Sequence, residues 1–547
     1  TVPFADGPTS PGGAGDGVYS GTIPGQTAGK LIRYRVDAVT GGVASSAPAT
    51  TDSVRFRGVV VTNPAVSSQL PVIEWFMDDA VYNDILANHR EDDYQGAAVW
   101  AYNGTVIDGV LMNVRGNSSR TANKVNWKVE LPAGYTFDLG GKLPYPLGGF
   151  ALQNYSDNFA DVGWSTVKGA GARGLNIIPV RTQRNGNFWS LGRIMETEDG
   201  SWRSAQGVKT WAIYKGDGGS VGRTASPADL QARLWLDKKT RKTEDFTDVW
   251  TLSNNVDAPA SAAQQAWIYR NVNVPELVNY MAINSIIRHA DSGWYNWWLA
   301  RDTEGTGRWE MWHWDLNWIF TTPASDGKGT FLTPDTSNHF TQAMLAYPEI
   351  REMFYRRLRT LADQYLQPGS FEATWDAISA KTTPDWNLDH TKWGGYTPDS
   401  ARTSFLAGLA DRRKVIADNT GTGKPVPPSQ AANANVVINE IQYRPGGTGG
   451  EFIELANPGT TAVDVSGWTI DAVGLTIQPG TVIPAGGQVV FVGNDVAFRA
   501  AYPSANRFVG GQFTGTLDDT GEAVVLRQGS RVVDRPDGDE AVDLQLE

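Results

Sequence analysis

At 547 residues the chain exceeds what one hydrophobic core can organise, and two to four domains are expected. With 41% hydrophobic and 19% charged residues it has the composition of a folded, soluble protein, and no apolar run approaches the roughly 20 residues of a membrane-spanning helix. A formal net charge of −12 argues against a nucleic-acid partner, and the absence of cysteine excludes disulfides, thiolate zinc sites and cysteine nucleophiles.

The first ten residues, TVPFADGPTS, lack the pattern of a secretion leader, which a processed chain would also lack. Residues 1–63 are rich in Gly, Pro, Ser and Thr and hold one alternating run, KLIRYRVDAV, in which Leu31, Tyr34 and Val36 interleave with polar positions. This predicts a partial β-sandwich. Between residues 70 and 419 strand-like runs (GVLMNVRGN, VNWKVEL, WEMWHWDLNW) stand apart from helical ones. The run PELVNYMAINSIIR predicts a helix capped by Asn273 with Pro275 in its first turn. FTQAMLAYPEIREMFYRRLRTLADQYL and ARTSFLAGLADRRKVIADN predict further helices. Segregated strands and helices indicate an α+β class. Residues 420–434, GTGKPVPPSQAANAN, have the composition of a linker. From 435 to 547, short strands at near-regular spacing predict an all-β sandwich.

One stretch carries a chemical signal. RHADSGWYNWW, residues 288–298, contains H-x-D-x-x-x-x-N, the order in which protein kinases keep a base and a metal ligand. Phosphoryl transfer needs a carboxylate near the acceptor hydroxyl, oxygen ligands for Mg²⁺, and a cation on the phosphates. Asp291 and Asn296 lie in one short loop after a helix. Asp315 follows among tryptophans, where an anion is costly unless it meets a cation. Other readings stay open at this level. Asp and Asn are ordinary loop residues. Asp291 and Asp315 could be a glycosidase pair. The 21 tryptophans could be core residues or a carbohydrate-stacking surface. Gly169, Gly171 and Gly174 form a G-x-G-x-x-G with no clear strand before it, which reads as a small-residue helix or turn. The five histidines show no H-E-x-x-H spacing.

Residues 70–419 resemble the spore coat protein H (CotH-type) kinases. The resemblance rests, in order, on VLMNVRGNSSRTANKVNWKVEL, NGNFWSLGRIMETEDGSW, LWLDKKTRKTEDFTDVWTLSNNV, NYMAINSIIRHADSGWYNWWLARD and RWEMWHWDLNWIF. It implies a divergent protein-kinase-like core in which the R-G-N-S-S hairpin replaces the missing glycine-rich loop. It implies ATP and Mg²⁺ as cofactors, Asp291 as the base, and Asn296 and Asp315 as metal ligands. It implies that Lys124 or Lys128 reaches the α and β phosphates, the two lying at i and i+4 on one face of a strand. Glu196 would pair with that lysine, and Arg115 would support the nucleotide. One departure stands out. The family's W-D-x-D reads WDLN here, with Asn317 in the second acidic, metal-facing position; Asn keeps an oxygen ligand and drops a charge.

The segment 435–547 resembles the lamin-tail domain, an immunoglobulin-like sandwich, on INEIQY, EFIELANP and VDVSGWTI, with Trp468 expected in its core. Residues 1–63 resemble the tail of a fibronectin-like sandwich. Together these imply a secreted bacterial protein, extracellular or on a cell surface or spore coat. It would phosphorylate Ser or Thr of a protein substrate and attach to a surface or extracellular polymer through the lamin-tail domain. A catalytically weak pseudokinase in a coat or surface assembly is the alternative, and transfer of AMP in place of phosphate is another.

Overall fold

The computed structural model describes every residue except 1, 9, 156, 217, 335–336, 446–449, 504–506 and 537–547, so the end of the expected 435–547 sandwich lies outside the described residues. The chain forms two compact units. The first comprises Thr1–Asn154, Ile178–Thr197 and Asn387–Gly394; the second comprises Tyr155–Ile177, Glu198–Trp386 and Gly395–Glu547.

The first unit begins with β1 (Leu31–Tyr34), β2 (Val36–Thr40), β3 (Val43–Ala47) and β4 (Arg57–Val60). The alternating run breaks at Arg35, so that β1 pairs with β4 while β2 pairs with β3. This stretch therefore makes two ribbons where a partial sandwich was expected. Val39 and Val43 are exposed, and the ribbons bury too little apolar surface for a core of their own. They rest on the rest of the unit: Arg33 pairs with Asp108 at 2.7 Å, and a Cβ on Gly58 would lie 2.4 Å from Val106.

The body of this unit is a closed barrel of β5 (Val72–Phe76), β6 (Gly96–Tyr102), β7 (Thr105–Arg115), β8 (Asn126–Glu130), β9 (Gly149–Gln153), β10 (Ile177–Arg184) and β11 (Asn187–Met195). Closure comes from the parallel pairing of β10 with β5, Arg181 opposite Val72, which leaves the barrel no free edge. Alternation along β8 turns Trp127 and Val129 inward and Lys128 outward. Inside, Trp75 meets Trp127 and Trp189 at centroid distances of 5.8 and 5.4 Å, contacts worth about 0.5–1.5 kcal/mol each beyond area burial.

In the second unit β12 (Ala212–Gly216), β13 (Asp237–Lys238), β14 (Trp297–Arg301) and β15 (Trp309–His313) form a sheet in the order β13-β12-β14-β15. The helix Val274–Ile287 is buried along its whole length, which explains why apolar residues occupy every side of it, with Glu276, Asn279, Asn284 and Ser285 as its buried polar members. Asn273 caps it by accepting from the Glu276 N–H, and Pro275 sits in the first turn, as the sequence predicts. The predicted helix through residue 365 is two helices, His339–Leu345 and Pro348–Tyr365, divided at Pro348, which starts the second. The last predicted helix is Pro398–Asp418. No helix among the described residues is long and apolar enough to cross a membrane.

The C-terminal segment has two four-stranded sheets. One contains Val437–Gln442, Phe452–Ala456, Gln488–Val492 and Val509–Gln512; the other contains Leu475–Thr476, Thr469–Ile470, Leu526–Gln528 and Arg531–Asp534. Trp468 is buried as expected. Residues 420–434 do not behave as their composition suggests. Arg356 donates to the Pro428 carbonyl, Arg359 to Ser429 Oγ and Gln430 to the Asp464 carbonyl, so residues 428–430 are tied to the helix Pro348–Tyr365 and to the sandwich. The sandwich is joined by buried ion pairs to the helix Pro348–Tyr365 and to the residue before β15. Arg357 reaches Asp464 at 3.1 Å as well as Asn279 and the Ala170 carbonyl, and Arg308 reaches Asp495 at 2.6 Å. Charges this buried persist only when paired, which makes the join geometrically specific.

Candidate active site

The site in the second unit follows from one register. β14 and β15 are antiparallel with Trp297 opposite His313. Asn296, just before β14, and Asp315, two residues beyond β15, therefore emerge at the same end of the hairpin. The helix Val274–Ile287 delivers the third group. It stops at Arg288 in the left-handed conformation (φ 47°), and the chain turns through His289 and Ala290 to Asp291. Asn296 then donates its side-chain N–H to Asp291 Oδ2 at 2.8 Å. That spends the amide nitrogen and leaves the amide oxygen as the ligand atom. Asp315 Oδ1 accepts the Tyr155 hydroxyl at 3.0 Å. The loops of Asp291 and Asp315 are tied together by Ala290 N–H to the Trp318 carbonyl, 3.3 Å, and Phe320 N–H to the Ile287 carbonyl, 2.8 Å. Asp291, Asn296 and Asp315 are half-buried; Asn317 is exposed.

Half of the ten non-glycine residues with positive φ among the described residues fall between 288 and 331: Arg288, Asn296, Asp315, Phe320 and Phe331. For Asn and Asp this conformation is cheap; for Arg and Phe it stores strain that surrounding contacts must hold.

Beneath the loop His289 and His313 are fully buried. Burial, the largest cause, pushes both imidazoles down to about 3, so both are neutral at physiological pH. His289 Nδ1 lies 3.2 Å from Asn284 Oδ1, and His313 sits 4.6 Å from the Tyr280 ring. The histidine of the H-x-D string is thus a packed core residue.

Among the described residues no three His, Asp or Glu side chains stand close enough to hold a metal together. Mg²⁺ commonly takes one or two protein oxygens and completes its octahedron with water and substrate phosphate. The Asp315 carboxylate and the Asn296 amide oxygen fit that demand.

The residues expected to contact the nucleotide, Arg115, Lys124, Lys128 and Glu196, belong to the first unit. Arg115 ends β7 and Glu196 follows β11, fully buried. The R-G-N-S-S turn is a 3-10 turn, Ser118–Thr121, between β7 and β8. Its entry depends on Gly116 at φ 111°, where a Cβ would fall 2.0 Å from Ser119 Oγ. Reciprocal bonds, Arg90 to the Arg120 carbonyl and Arg120 to the Arg90 carbonyl, both 2.7 Å, brace it. The expectation that Lys124 and Lys128 share one strand face is corrected. β8 begins only at Asn126, and Lys124 lies in the bend before it, so the period of two does not reach it. Lys124 is buried, with Nζ 2.6 Å from Asp389 Oδ2. Lys128 points outward and pairs with Glu130. Asp389 also accepts the Leu191 N–H at 2.9 Å.

Gly169–Gly174 is no phosphate loop. It lies at the C-terminus of the helix Phe159–Gly169, where carbonyls and the negative end of the dipole face out, and a Cβ on Gly171 would lie 2.3 Å from Pro479. The tryptophans are mostly core; Trp235, Trp294 and Trp318 are the exposed ones. Tyr155, Arg288, Lys328 and Asp389 have roles that no local pattern signals.

A family model described as CotH kinase protein matches residues 112–419, and one described as Lamin Tail Domain matches residues 429–537. No curated protein matches the chain. The first match begins inside β7 and spans more than half of the chain, Asp291, Asn296 and Asp315 included. The chain belongs to the CotH kinase protein family and carries a C-terminal lamin tail domain.

Proposed function

We propose that this protein is a phosphotransferase that moves the γ-phosphoryl group of ATP to a Ser or Thr hydroxyl of a protein substrate. The observation that carries the reading is the Asn296–Asp291 hydrogen bond at the end of the hairpin that also presents Asp315. Membership of the CotH kinase protein family supports it. In this reading Asp291 orients the acceptor hydroxyl and takes its proton as the new O–P bond forms. The bond from the γ-phosphorus to the β–γ bridging oxygen breaks, and ADP leaves. Asp315 and Asn296 would hold Mg²⁺, with Asn317 as a further oxygen. Bound Mg²⁺ supplies charge neutralisation on the phosphates. The family resemblance gives the phosphate cation as Lys124 or Lys128; Lys124 is held by Asp389 and Lys128 is a solvated strand residue. Glu196 and Arg115 take supporting roles. Positioning and charge neutralisation lower the barrier, with no covalent intermediate.

The reading includes action outside the cell, on a cell surface or in a spore coat, with the lamin tail domain contacting a surface or polymer. Its support is the family resemblance of both domains.

Two observations favour a second reading, a nucleotide-binding protein with weak or no transfer. Asn317 removes one charge from the expected acidic pair, and Lys124 is engaged by a buried carboxylate.

Transfer and binding assays on two variants test the proposal. Asp291→Ala should abolish phosphoryl transfer and leave the thermal shift with ATP and Mg²⁺ intact. Asp315→Ala should diminish that shift. Wild-type transfer in both variants would sink the proposal. A wild-type shift without transfer would select the second reading, and the mass added to the product separates phosphate from AMP.

A further inference from the structure

The segment that follows Asp315 is bound back onto the loop that carries Asp291. Arg288 stands three residues before Asp291, and both its side chain and that of Asp326 are fully buried. Its guanidinium donates from Nε to the Thr321 carbonyl at 2.8 Å, from Nη1 to the Gly329 carbonyl at 3.1 Å, and from Nη2 to Asp326 Oδ1 at 2.9 Å. Asp326 also accepts the Thr321 hydroxyl at 2.6 Å and the Lys328 N–H at 2.8 Å. The turn Pro323–Asp326 that presents it is fixed by a capping box between Thr322 and Ser325. The Phe331 ring covers the guanidinium at 4.9 Å. Lys328 returns the contact: its ammonium donates to the carbonyl of Ala290, the residue before Asp291. Arg412 bridges the base of the arrangement, from the Ser285 carbonyl to the Phe331 carbonyl.

We infer that Asp326 is a positioning residue for Asp291, acting through Arg288 and the neighbouring Lys328. A buried guanidinium keeps its place only beside a counter-charge, and Asp326 supplies one. The residues held at positive φ here, Arg288, Phe320 and Phe331, are bulky, so the loop conformation persists only while these contacts over-determine it. Many kinase segments of this kind are ordered by a phosphate that pairs with arginine. Here the chain carries the anion itself, so the order of the Asp291 loop does not wait on a modification. The inference rests on the phosphotransferase reading.

The test combines hydrogen exchange over 288–296 with steady-state kinetics. In Asp326→Ala, loop amides should exchange about ten-fold faster or more. In the same variant kcat should fall about ten-fold or more, with KM for ATP nearly unchanged. Asp326→Glu should recover part of kcat, which a generally loosened fold would not allow. Should Asp326→Ala fail to fold, Lys328→Met frees the Ala290 carbonyl and the Trp318 ring face while leaving Arg288–Asp326 in place, and should still lower kcat at constant KM. Unchanged loop exchange in Asp326→Ala, or unchanged kcat in whichever variant folds, overturns the inference alone. A wild-type protein with neither a shift nor transfer in ATP and Mg²⁺ overturns the phosphotransferase reading, and this inference with it.

Discussion

The Lys124 ammonium and the Asp389 carboxylate meet at 2.6 Å across 265 residues of sequence, with 7% and 0% of their side chains exposed. Asp389 balances that charge and also satisfies the Leu191 N–H. Removing it leaves a buried cation short of a counter-charge, so Asp389→Ala should cost about 3 kcal/mol of stability or more. Lys124→Met combined with Asp389→Leu should recover much of the loss. Denaturant titration of the three proteins decides it; an Asp389→Ala midpoint equal to wild type would show that the pair contributes nothing.

Asn296 supplies two separable things, a left-handed backbone at φ 62° and an amide directed at Asp291. Asn296→Ala loses both, and the backbone strain alone costs about 1 kcal/mol. Asn296→Gly restores the backbone and still lacks the amide. The Gly variant should therefore be the more stable of the two by thermal melting, while both lose phosphoryl transfer to a similar extent. Full transfer in Asn296→Gly would remove the amide from the proposed chemistry.

Glu276 lies in the first turn of the helix Val274–Ile287. Burial, then the nearby Glu310, pushes its carboxyl up to about 8, against the opposing pull of Arg173 and Arg357. A raised folded-state pKa means that the native protein holds a proton the unfolded chain has released. Its contribution is complete below about 4.5 and is lost as pH rises through about 8. Glu276→Gln, which cannot ionise, should match wild type near pH 5 and exceed it in melting temperature near pH 9. Parallel melting curves across that range would show that Glu276 does not titrate there.

Much of the candidate site was legible in sequence because it is local. Asn273, Pro275 and the mostly apolar run fix a helix, and Asn296 lies five residues beyond Asp291. The hairpin of β14 and β15 then needs only a register to bring in Asp315. What escaped depends on distant partners or on where an element starts. The Lys124–Asp389 contact joins a bend to the last turns of the helix Ser370–Trp393, and no local pattern encodes it. A period of two carried back from Lys128 places Lys124 on a strand that begins only two residues after it. The closure of β10 on β5 is a parallel pairing across about a hundred residues, invisible to alternation. Residues 420–434 have the composition of a tether, yet their main-chain carbonyls and side chains are used by Arg356, Arg359 and Asp464. Composition reports how a segment behaves alone and is silent about which arginines wait for it.

The buried Arg357–Asp464 and Arg308–Asp495 pairs bear on how the protein would work when immobilised. A module swinging on a slack leash would let Asp291 sweep a volume and sample many acceptors. Under the proposed surface attachment, the sandwich, fastened to the same body as the β14–β15 hairpin, would set the height and bearing of the candidate site. An anchored molecule would then behave as a fixed station, modifying what is brought to it at one distance from the surface it holds.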